Sequence, residues 1–473
     1  MAIRSSFLNA SLPLLLAAAI GCPSPPPPVV PTGDGPGPTG PVVSEETREG
    51  FREAVARFME VRRSGRPWTR EQCADMAERF EEVSEETRGG LAEAMYNRGV
   101  AFQQCGMHDE AKQAFSMALQ IRQDYPAAII QLGVYELLAN NVARAEEHFL
   151  RVTDRFGLDP AAHQAYINLG VIAATRGNFY PGRAAAAASG PRPADTEIGN
   201  ALAIQADSVV ALENLARFYF DYSNQSQANA RFRRFAQLIC SYAVSKNSLY
   251  APIYNLRGLI YLREDNIRAA IGDFQKARTL DPDFYEAHLN YASLNLGFRG
   301  YAQALHAFQE AIRIRPDSYD ALVGLGVAIR GLASEAESGA RSSAGEAHSY
   351  EAALEKYEAA RRLDAERPEA YLNVALLYHG FLNDGSIAHC DRAVSAYDTA
   401  VQRAQAYRGN PGSGVDYAAL RQIAVQKLER ARKDCETLRQ LQAMEAQARE
   451  VERRMQEAAP PPPEAGGGGA GGP

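Results

Sequence analysis

The chain has 473 residues, 57 of them acidic and 50 basic, and its formal net charge is −7. A balanced, slightly acidic composition argues against a nucleic-acid partner, because binding the phosphate backbone requires a basic face. Glycine and proline concentrate at the two ends, whereas the middle is rich in alanine, leucine, glutamate, glutamine and arginine. Those residues favour helix, so we expect an all-α fold with non-helical ends.

Residues 1–21 have the pattern of a secretory signal peptide. Arg4 precedes an apolar run, roughly residues 12–20, that is too short to span a bilayer as a mature helix. Residues 19–22, Ala-Ile-Gly-Cys, resemble a lipobox, where a lipoprotein signal peptidase cleaves before the cysteine and the cysteine is acylated. We predict lipidation of Cys22. The alternative is an ordinary signal peptide followed by an unrelated cysteine.

The segment 22–43 is predicted to be a tether after the lipidated cysteine. Residues 23–43 contain nine prolines and a single charged residue, Asp34. This composition cannot bury a core and favours an extended polyproline conformation. Because Pro23 and not an aspartate follows the cysteine, the resemblance to bacterial lipoproteins implies the outer membrane. The expected location is therefore the periplasmic face of the outer membrane, with the protein lipid-anchored.

Residues 44–88 are predicted to form an N-terminal helical pair or cap. Apolar residues recur at helical spacing after Ser44, which is placed to cap the first helix. Residues 65–67, Gly-Arg-Pro, end that helix. Thr69 and Gln72 then form a capping-box pattern that begins a second helix.

Two adjacent segments between Tyr250 and Pro316 repeat each other at an offset of 34 residues. Small residues, an aromatic residue and a proline recur at the same places in both. The aligned pairs are Gly258 with Ala292, Ala270 with Ala304, Phe274 with Phe308, Ala277 with Ala311 and Pro282 with Pro316. A 34-residue period with this pattern indicates a helix, a turn, a second helix and a stop, stacked into a solenoid.

This pattern resembles the tetratricopeptide repeat (TPR) family. The resemblance implies a right-handed superhelical solenoid of about eight helix-turn-helix repeats, which we place at residues 89–408. Two insertions interrupt the period, near residues 178–196 and 334–349, in the third and seventh repeats. Asparagines at the sixth repeat position belong to the usual TPR pattern and are expected to make structural hydrogen bonds. They are Asn97, Asn168, Asn214, Asn290 and Asn373.

A long amphipathic helix is predicted at residues 415–457, followed by a disordered proline- and glycine-rich tail at residues 459–473. Its apolar residues follow a near-heptad spacing from Leu420 to Met455. We expect its first part to cap the solenoid. The remainder either projects as an arm for a coiled-coil partner or frays, and the alternative is that the helix packs into the solenoid's own groove.

Catalytic signals are absent from the sequence. The eight histidines form no H-E-x-x-H motif or paired metal spacing, and no G-x-S-x-G elbow or phosphate-binding glycine loop occurs. His379, His389 and Cys390 lie close together in sequence, but they fall around a loop in an oxidising compartment, and we predict no metal there. The expectation is a protein that is not an enzyme, without cofactor, metal or small-molecule substrate.

Five cysteines lie beyond the lipobox, in a compartment where unpaired thiols are disfavoured. Cys73 and Cys105 fall on consecutive helical pairs, and Cys390 and Cys435 fall on the eighth repeat and the final helix. Disulfides Cys73–Cys105 and Cys390–Cys435 would leave Cys240 free. The alternative is that these cysteines are buried small residues, and the sequence leaves both open.

The TPR resemblance also implies where a partner would bind. In TPR arrays the first helix of each repeat lines a concave groove, and here the groove positions are largely apolar, which suits an amphipathic helix or an extended hydrophobic segment. The predicted groove residues are Val100, Ile130, Val134, Leu137, Ile167, Val171, Leu259, Leu262, Leu289, Leu296, Val323, Val327, Leu372 and Leu376. Arg217, Arg263 and Arg330 are isolated basic exceptions, so the Lys, Asn and Arg set that clamps a peptide carboxylate in some TPR proteins is missing.

The layout as a whole resembles the TPR lipoproteins of the myxobacterial adventurous gliding-motility machinery. That resemblance implies a non-catalytic protein–protein interaction scaffold in an envelope-spanning complex, with other envelope proteins as partners. One alternative is a pilot or assembly lipoprotein for a secretin or pilus system. Another is a regulatory accessory subunit of a peptidoglycan enzyme.

Overall fold

The computed structural model describes residues 44–63, 68–87, 90–177, 193–337, 349–382, 385–407 and 416–458. Within these ranges the chain is helical, with nineteen α-helices, two short 3₁₀ helices and no strand. The α-helices are α1 (Glu45–Arg63), α2 (Arg70–Glu85), α3 (Ala92–Gln104), α4 (His108–Ile121), α5 (Pro126–Leu138), α6 (Val142–Phe156), α7 (His163–Thr175), α8 (Ala194–Ile204), α9 (Val209–Gln225), α10 (Phe232–Lys246), α11 (Ala251–Arg263), α12 (Ile267–Leu280), α13 (Tyr285–Gly297), α14 (Tyr301–Ile314), α15 (Tyr319–Glu337), α16 (Tyr350–Leu363), α17 (Pro368–Gly380), α18 (Ile387–Ala406) and α19 (Tyr417–Ala458). The predicted signal peptide, tether and tail lie outside the described residues.

Helices pack mainly against their neighbours in sequence. Packing is close within pairs such as α3 with α4, α9 with α10, and α11 with α12. Most junctions between consecutive pairs are less closely packed, and the contacts of α2 with α3 and of α14 with α15 are exceptions. Each pair therefore buries its apolar face only against adjacent pairs. This is the TPR solenoid architecture that the 34-residue period predicts.

The small and aromatic residues of the period explain how the two helices of a pair meet. Ala270, Phe274 and Ala277 on α12 have no exposed surface. The Phe274 ring lies against Gly258 of α11, where an added Cβ would come within 2.6 Å of the ring. Because only glycine leaves this room, the helices approach closely there. The same contact recurs between Gly99 and Phe115, Gly133 and Phe149, and Gly326 and Tyr357.

Capping interactions define the helix starts near the N-terminal end of the described chain. The Ser44 Oγ accepts a hydrogen bond of 3.1 Å from the Thr47 N–H, so Ser44 caps α1 as predicted. The Thr69 Oγ1 accepts from the Gln72 N–H, and the Gln72 Oε1 accepts from the Thr69 N–H. This is the capping box predicted at the start of α2, and it is confirmed.

The first insertion separates the two helices of the third repeat. Helix α8 begins at Ala194 and packs on α7, with Ile198 against Gly170. Helix α8 is the partner helix of α7, and it begins two residues before residue 196, the predicted end of the insertion. In the seventh repeat α15 continues to Glu337, into the predicted insertion, and α16 begins at Tyr350. Residues 178–192 and 338–348 lie outside the described ranges.

The repeat asparagines have structural partners. Asn168 and Asn214 are almost fully buried. The Asn214 Nδ2 donates a hydrogen bond of 2.9 Å to the carbonyl of Val210, one turn earlier on the same helix. The Asn373 Nδ2 donates in the same way to Glu369. The Asn168 Oδ1 instead accepts a hydrogen bond of 3.1 Å from the Gln164 side chain, and its Nδ2 is buried without a partner. The bonds of Asn214 and Asn373 to local carbonyls support their predicted structural role.

The described chain separates into two compact units, and the boundary lies in α13, between Ala287 and His288. The first unit contains α1–α12, and its apolar core runs through successive clusters that share helices. The second unit contains α14–α19. Its core includes one cluster around Tyr319 and Val323 and another in which α17, α18 and α19 meet.

Helix α19 caps the second unit with its first part only. Leu420, Leu428 and Cys435 are buried there, in step with the predicted spacing. Leu438 is half-buried, and beyond it Leu441, Met444, Val451 and Met455 are at least half exposed, so this last part projects and does not fill a groove within the unit. Although α19 is long, neither it nor any other described helix combines the length and apolar character needed to cross a membrane.

Candidate partner-binding surfaces

Much of the predicted groove belongs to the core. Eight of the fourteen residues are buried, namely Val100, Ile130, Val134, Leu137, Ile167, Val171, Leu296 and Val323. Val100 and Ile167 have no exposed surface, because neighbouring helical pairs cover them in the clusters formed by α1–α5 and α5–α9. For these eight residues the prediction is corrected, since they stabilise the solenoid and offer a partner little or no surface.

The other six groove residues keep some accessible surface. They are half-buried and comprise Leu259, Leu262, Leu289, Val327, Leu372 and Leu376. Partial exposure of leucine on a first helix is what an apolar binding surface requires. The usable part of the predicted groove is therefore restricted to α11, α13, α15 and α17.

A pocket of about 490 Å³ lies at Leu376 in the second unit, and we call it the C-terminal pocket. Its walls come from α15, from α17 and its C-terminal end, from α18, and from the capping helix α19. The lining residues are Arg330, Leu376, His379, Gly380, Phe381, Tyr397, Lys427, Arg430 and Asp434. Leu376, Gly380 and Phe381 supply the apolar part of the lining, and charged and polar side chains converge on it.

The C-terminal pocket contains more positive than negative side chains, with Arg330, Lys427 and Arg430 against Asp434. Arg330 is half-buried, donates a hydrogen bond of 3.2 Å to Asn373, and lies over the Phe381 ring at 5.7 Å from its centroid. Among the described residues no carboxylate lies within ion-pair distance of Arg330 or Lys427, whereas Arg430 is 3.7 Å from Asp434. The pocket can therefore accept an anionic group beside an apolar one.

The histidines near this pocket have protein partners. The His379 Nε2 lies 3.0 Å from the Asp434 carboxylate and its Nδ1 lies 3.4 Å from the Tyr397 hydroxyl. His389 instead packs on the Tyr378 ring, and Cys390 is disulfide-bonded. The three residues considered for zinc are thus engaged separately. Within the described ranges no group of three or more His, Cys, Asp or Glu side chains is arranged to hold a metal.

Both cysteine pairs considered from the sequence are joined in the structure. Cys73 on α2 is bonded to Cys105 at the end of α3, with Cα atoms 6.4 Å apart. Cys390 on α18 is bonded to Cys435 on α19, with Cα atoms 5.6 Å apart, so the second bond holds the capping helix beside the C-terminal pocket. Both separations fall in the usual disulfide range. Cys240 is unpaired and buried.

A second set of charges lies on α9 in the first unit. Arg217, one of the basic groove exceptions, is committed to Glu213 through an ion pair of 2.6 Å, so it is not available to a partner. Asp221 lies one turn further along α9. Burial raises the pKa of Asp221 to about 7, while the charge of Arg217 opposes this shift and that of Glu213 adds to it.

We expect Asp221→Asn to stabilise the protein at high pH. The folded-state pKa of Asp221 is above its unfolded value, so folding takes up a proton between about pH 4 and pH 7, and stability falls as pH rises through that range. The substitution should raise the free energy of unfolding by roughly 2–4 kcal/mol at about pH 8 and change it little at about pH 4. Urea titrations at both pH values measure this. Exposed Glu264→Gln is the control, and equal effects of Asp221→Asn at both pH values would contradict the assignment.

Sequence models of the tetratricopeptide repeat family match four parts of the chain, at residues 92–125, 130–195, 251–284 and 296–338. The match at 251–284 covers the first half of the internal repeat, and the match at 296–338 overlaps the second. The chain therefore contains tetratricopeptide repeats, and this prediction is confirmed. A TPR solenoid is typically a non-catalytic scaffold that binds proteins and peptides.

Solved structures similar to this chain include two that are described as tetratricopeptide repeat proteins. One is a tetratricopeptide repeat protein from Parabacteroides merdae, 16% identical, with a TM-score of 0.39, covering 64% of this chain and 99% of that one. Pseudomonas aeruginosa PilF is 20% identical, with a TM-score of 0.38, covering 53% and 96%. YrrB, described as a TPR protein with an unusual peptide-binding site, is 17% identical, with a TM-score of 0.33, covering 44% and 91%. All three TM-scores are below 0.5.

Sequence reasoning missed part of the C-terminal pocket. Arg330 stood out as a basic residue at a groove position, but Lys427 and Arg430 were not expected beside it. They reach the pocket because α19 packs back on α18, and Leu428 is buried in that contact. The available signal was the heptad spacing of α19, which places residues 427 and 430 close to the buried stripe.

Proposed function

We propose that the protein is a non-catalytic scaffold that binds other proteins through its first helices and the C-terminal pocket. The observation that carries this proposal is the pocket, where half-buried Leu376 adjoins two cations, Arg330 and Lys427, that have no carboxylate partner among the described residues. A segment with an apolar side chain and a neighbouring acid would satisfy both features.

We further propose that the scaffold is a lipid-anchored component of an envelope-spanning complex on the periplasmic face of the outer membrane. The lipobox-like residues 19–22 and the proline-rich segment after Cys22 support anchoring. The two disulfides support an oxidising compartment, where such bonds form and persist. Among envelope complexes, the gliding-motility machinery is our first candidate because its TPR lipoproteins share this layout.

Affinity purification of the mature lipoprotein from its native envelope tests this proposal. We expect a defined set of envelope proteins with the unaltered chain and a loss of at least one of them with the double variant Arg330→Glu/Lys427→Glu. The identity of the recovered proteins separates the candidates. Recovery of gliding-motility components would favour a role in the gliding machinery. Recovery of a secretin or pilin would favour a pilot lipoprotein, and recovery of a cell-wall hydrolase would favour a regulatory subunit.

A further inference from the structure

Helix α10 exposes a row of large apolar side chains. Phe235, Leu238 and Tyr242 are 53%, 67% and 45% exposed, and Leu249 in the loop after the helix is 72% exposed. The spacing of three and then four residues places the first three side chains on one face, over about 10 Å of helix. We call these three residues the α10 ridge. Apart from α19, no other described helix carries more than one such side chain.

The side chains of the α10 ridge are not the ones that pack α10 into the core. The opposite side of α10 buries Ala236, Cys240 and Ala243, which have no exposed surface, against the neighbouring helices α9 and α11. The helix is therefore fully anchored in the solenoid without using the ridge. Contiguous exposed apolar residues that stability does not need indicate an interaction surface.

The two aromatic side chains of the ridge contact neighbouring side chains. The Phe235 ring lies 6.0 Å from the Phe232 ring and 6.1 Å from the Tyr219 ring, measured between centroids. The Tyr242 ring lies 4.9 Å from the Lys246 ammonium. Aromatic side chains that are already ordered lose little entropy on binding, and such residues supply most of the energy of protein interfaces.

The segment of sequence that carries the ridge is basic. Between Asp221 and Glu264 the sequence contains six basic residues and no acid, although the whole chain has a net charge of −7. Three of these cations, Arg231, Arg234 and Lys246, are exposed on α10 or next to it. None of the three has an ion-pair partner in the described part of the chain, so the surface is complementary to an acidic partner.

We propose that the α10 ridge docks an amphipathic helix of a partner protein that carries acidic residues beside its apolar stripe. This rests on the proposed scaffold function and adds a second binding surface, remote in sequence from the C-terminal pocket. A membrane fits the observations less well. A helix that binds a membrane inserts its whole apolar face, whereas α10 buries Ala236, Cys240 and Ala243 in the solenoid and exposes only the three apolar side chains of the ridge.

Two labelled helical peptides test the proposal directly. Both have an alanine background and the same leucine stripe, and one has glutamates beside the stripe where the other has lysines. With the full mature chain, fluorescence anisotropy should show the acidic peptide binding at least about tenfold more tightly than the basic one, and more weakly at high salt. The triple variant Phe235→Ser/Leu238→Ser/Tyr242→Ser should lose at least about tenfold in affinity.

Matched controls distinguish binding at the α10 ridge from non-specific apolar binding and from binding at the C-terminal pocket. Leu138→Ser/Leu363→Ser removes two exposed leucines elsewhere and should leave binding unchanged. The pocket variant Arg330→Glu/Lys427→Glu should also leave binding of the acidic peptide unchanged. A failure of the proposal for the C-terminal pocket can therefore be distinguished from a failure of the proposal for the α10 ridge. Circular dichroism confirms folding of each variant. Equal binding of both peptides, full binding by the triple variant, or binding only to vesicles containing phosphatidylglycerol would overturn the inference.

Discussion

Replacing Cys22 with alanine will move the protein from the membrane fraction to the soluble periplasmic fraction. Each buried CH₂ of an acyl chain contributes about 0.8 kcal/mol to membrane binding, so stable anchoring requires more than one chain. A lipidated Cys22 would carry such chains, and none of the described helices can span a bilayer in its place. We therefore expect the shift to be nearly complete.

The measurement is fractionation followed by mass spectrometry of the N-terminal peptide. The variant is expressed behind a cleavable leader without a lipobox, since an uncleaved signal peptide would itself hold the chain in the membrane. Cys240→Ala is the matched control, because Cys240 is buried and unpaired, and this variant should remain in the membrane fraction. Tight membrane binding by Cys22→Ala, or an N-terminal peptide without acyl chains in the unaltered protein, would disprove the anchor.

Replacing Phe274 with alanine will cost about 3–5 kcal/mol of unfolding free energy. The Phe274 ring is fully buried and fills the close contact with Gly258 between α11 and α12. Glycine has no side chain to relax into the space, so the cavity left by the ring will stay largely open. In a solenoid this loss also weakens the stacking of the neighbouring pairs.

Urea unfolding of the mature chain, followed by circular dichroism, measures the Phe274→Ala effect. Phe235→Ala removes the same atoms from a ring that is half exposed, and we expect it to cost less than about 1 kcal/mol. A loss below about 1 kcal/mol for Phe274→Ala would show that the ring does not hold the pair together.

The sequence predicted the repeat architecture because the repeat is a local pattern. Phe274 and Gly258 lie within one 34-residue unit, and the capping box at Thr69 involves residues three apart. Contacts of this kind depend on helix periodicity and turn chemistry, which neighbouring residues determine. The predicted end of the first insertion, residue 196, differs from the observed start of α8 at Ala194. The alanine-rich stretch before Ala194 contains no clear signal for the start of a helix.

The binding surfaces were predicted less well because they depend on how one pair packs on the next. Val100 and Ile167 occupy groove positions in the repeat pattern, yet adjacent pairs cover them completely. The C-terminal pocket needs α19 to fold back beside α17, which no local pattern specifies. The α10 ridge was not predicted, because Phe235 and Leu238 lie on the second helix of their repeat. Exposed apolar residues on that helix are not part of the repeat pattern.

Recovery of partner proteins by this chain tests the scaffold proposal most directly. The unaltered chain, Arg330→Glu/Lys427→Glu and Arg421→Glu/Lys433→Glu are purified in parallel from the native envelope and compared by quantitative mass spectrometry. The last variant makes the same change of charge at exposed positions on α19 away from the C-terminal pocket. We predict that at least one partner is lost only with the pocket variant. The same partners at the same amounts from all three chains would contradict a protein-binding role for the pocket.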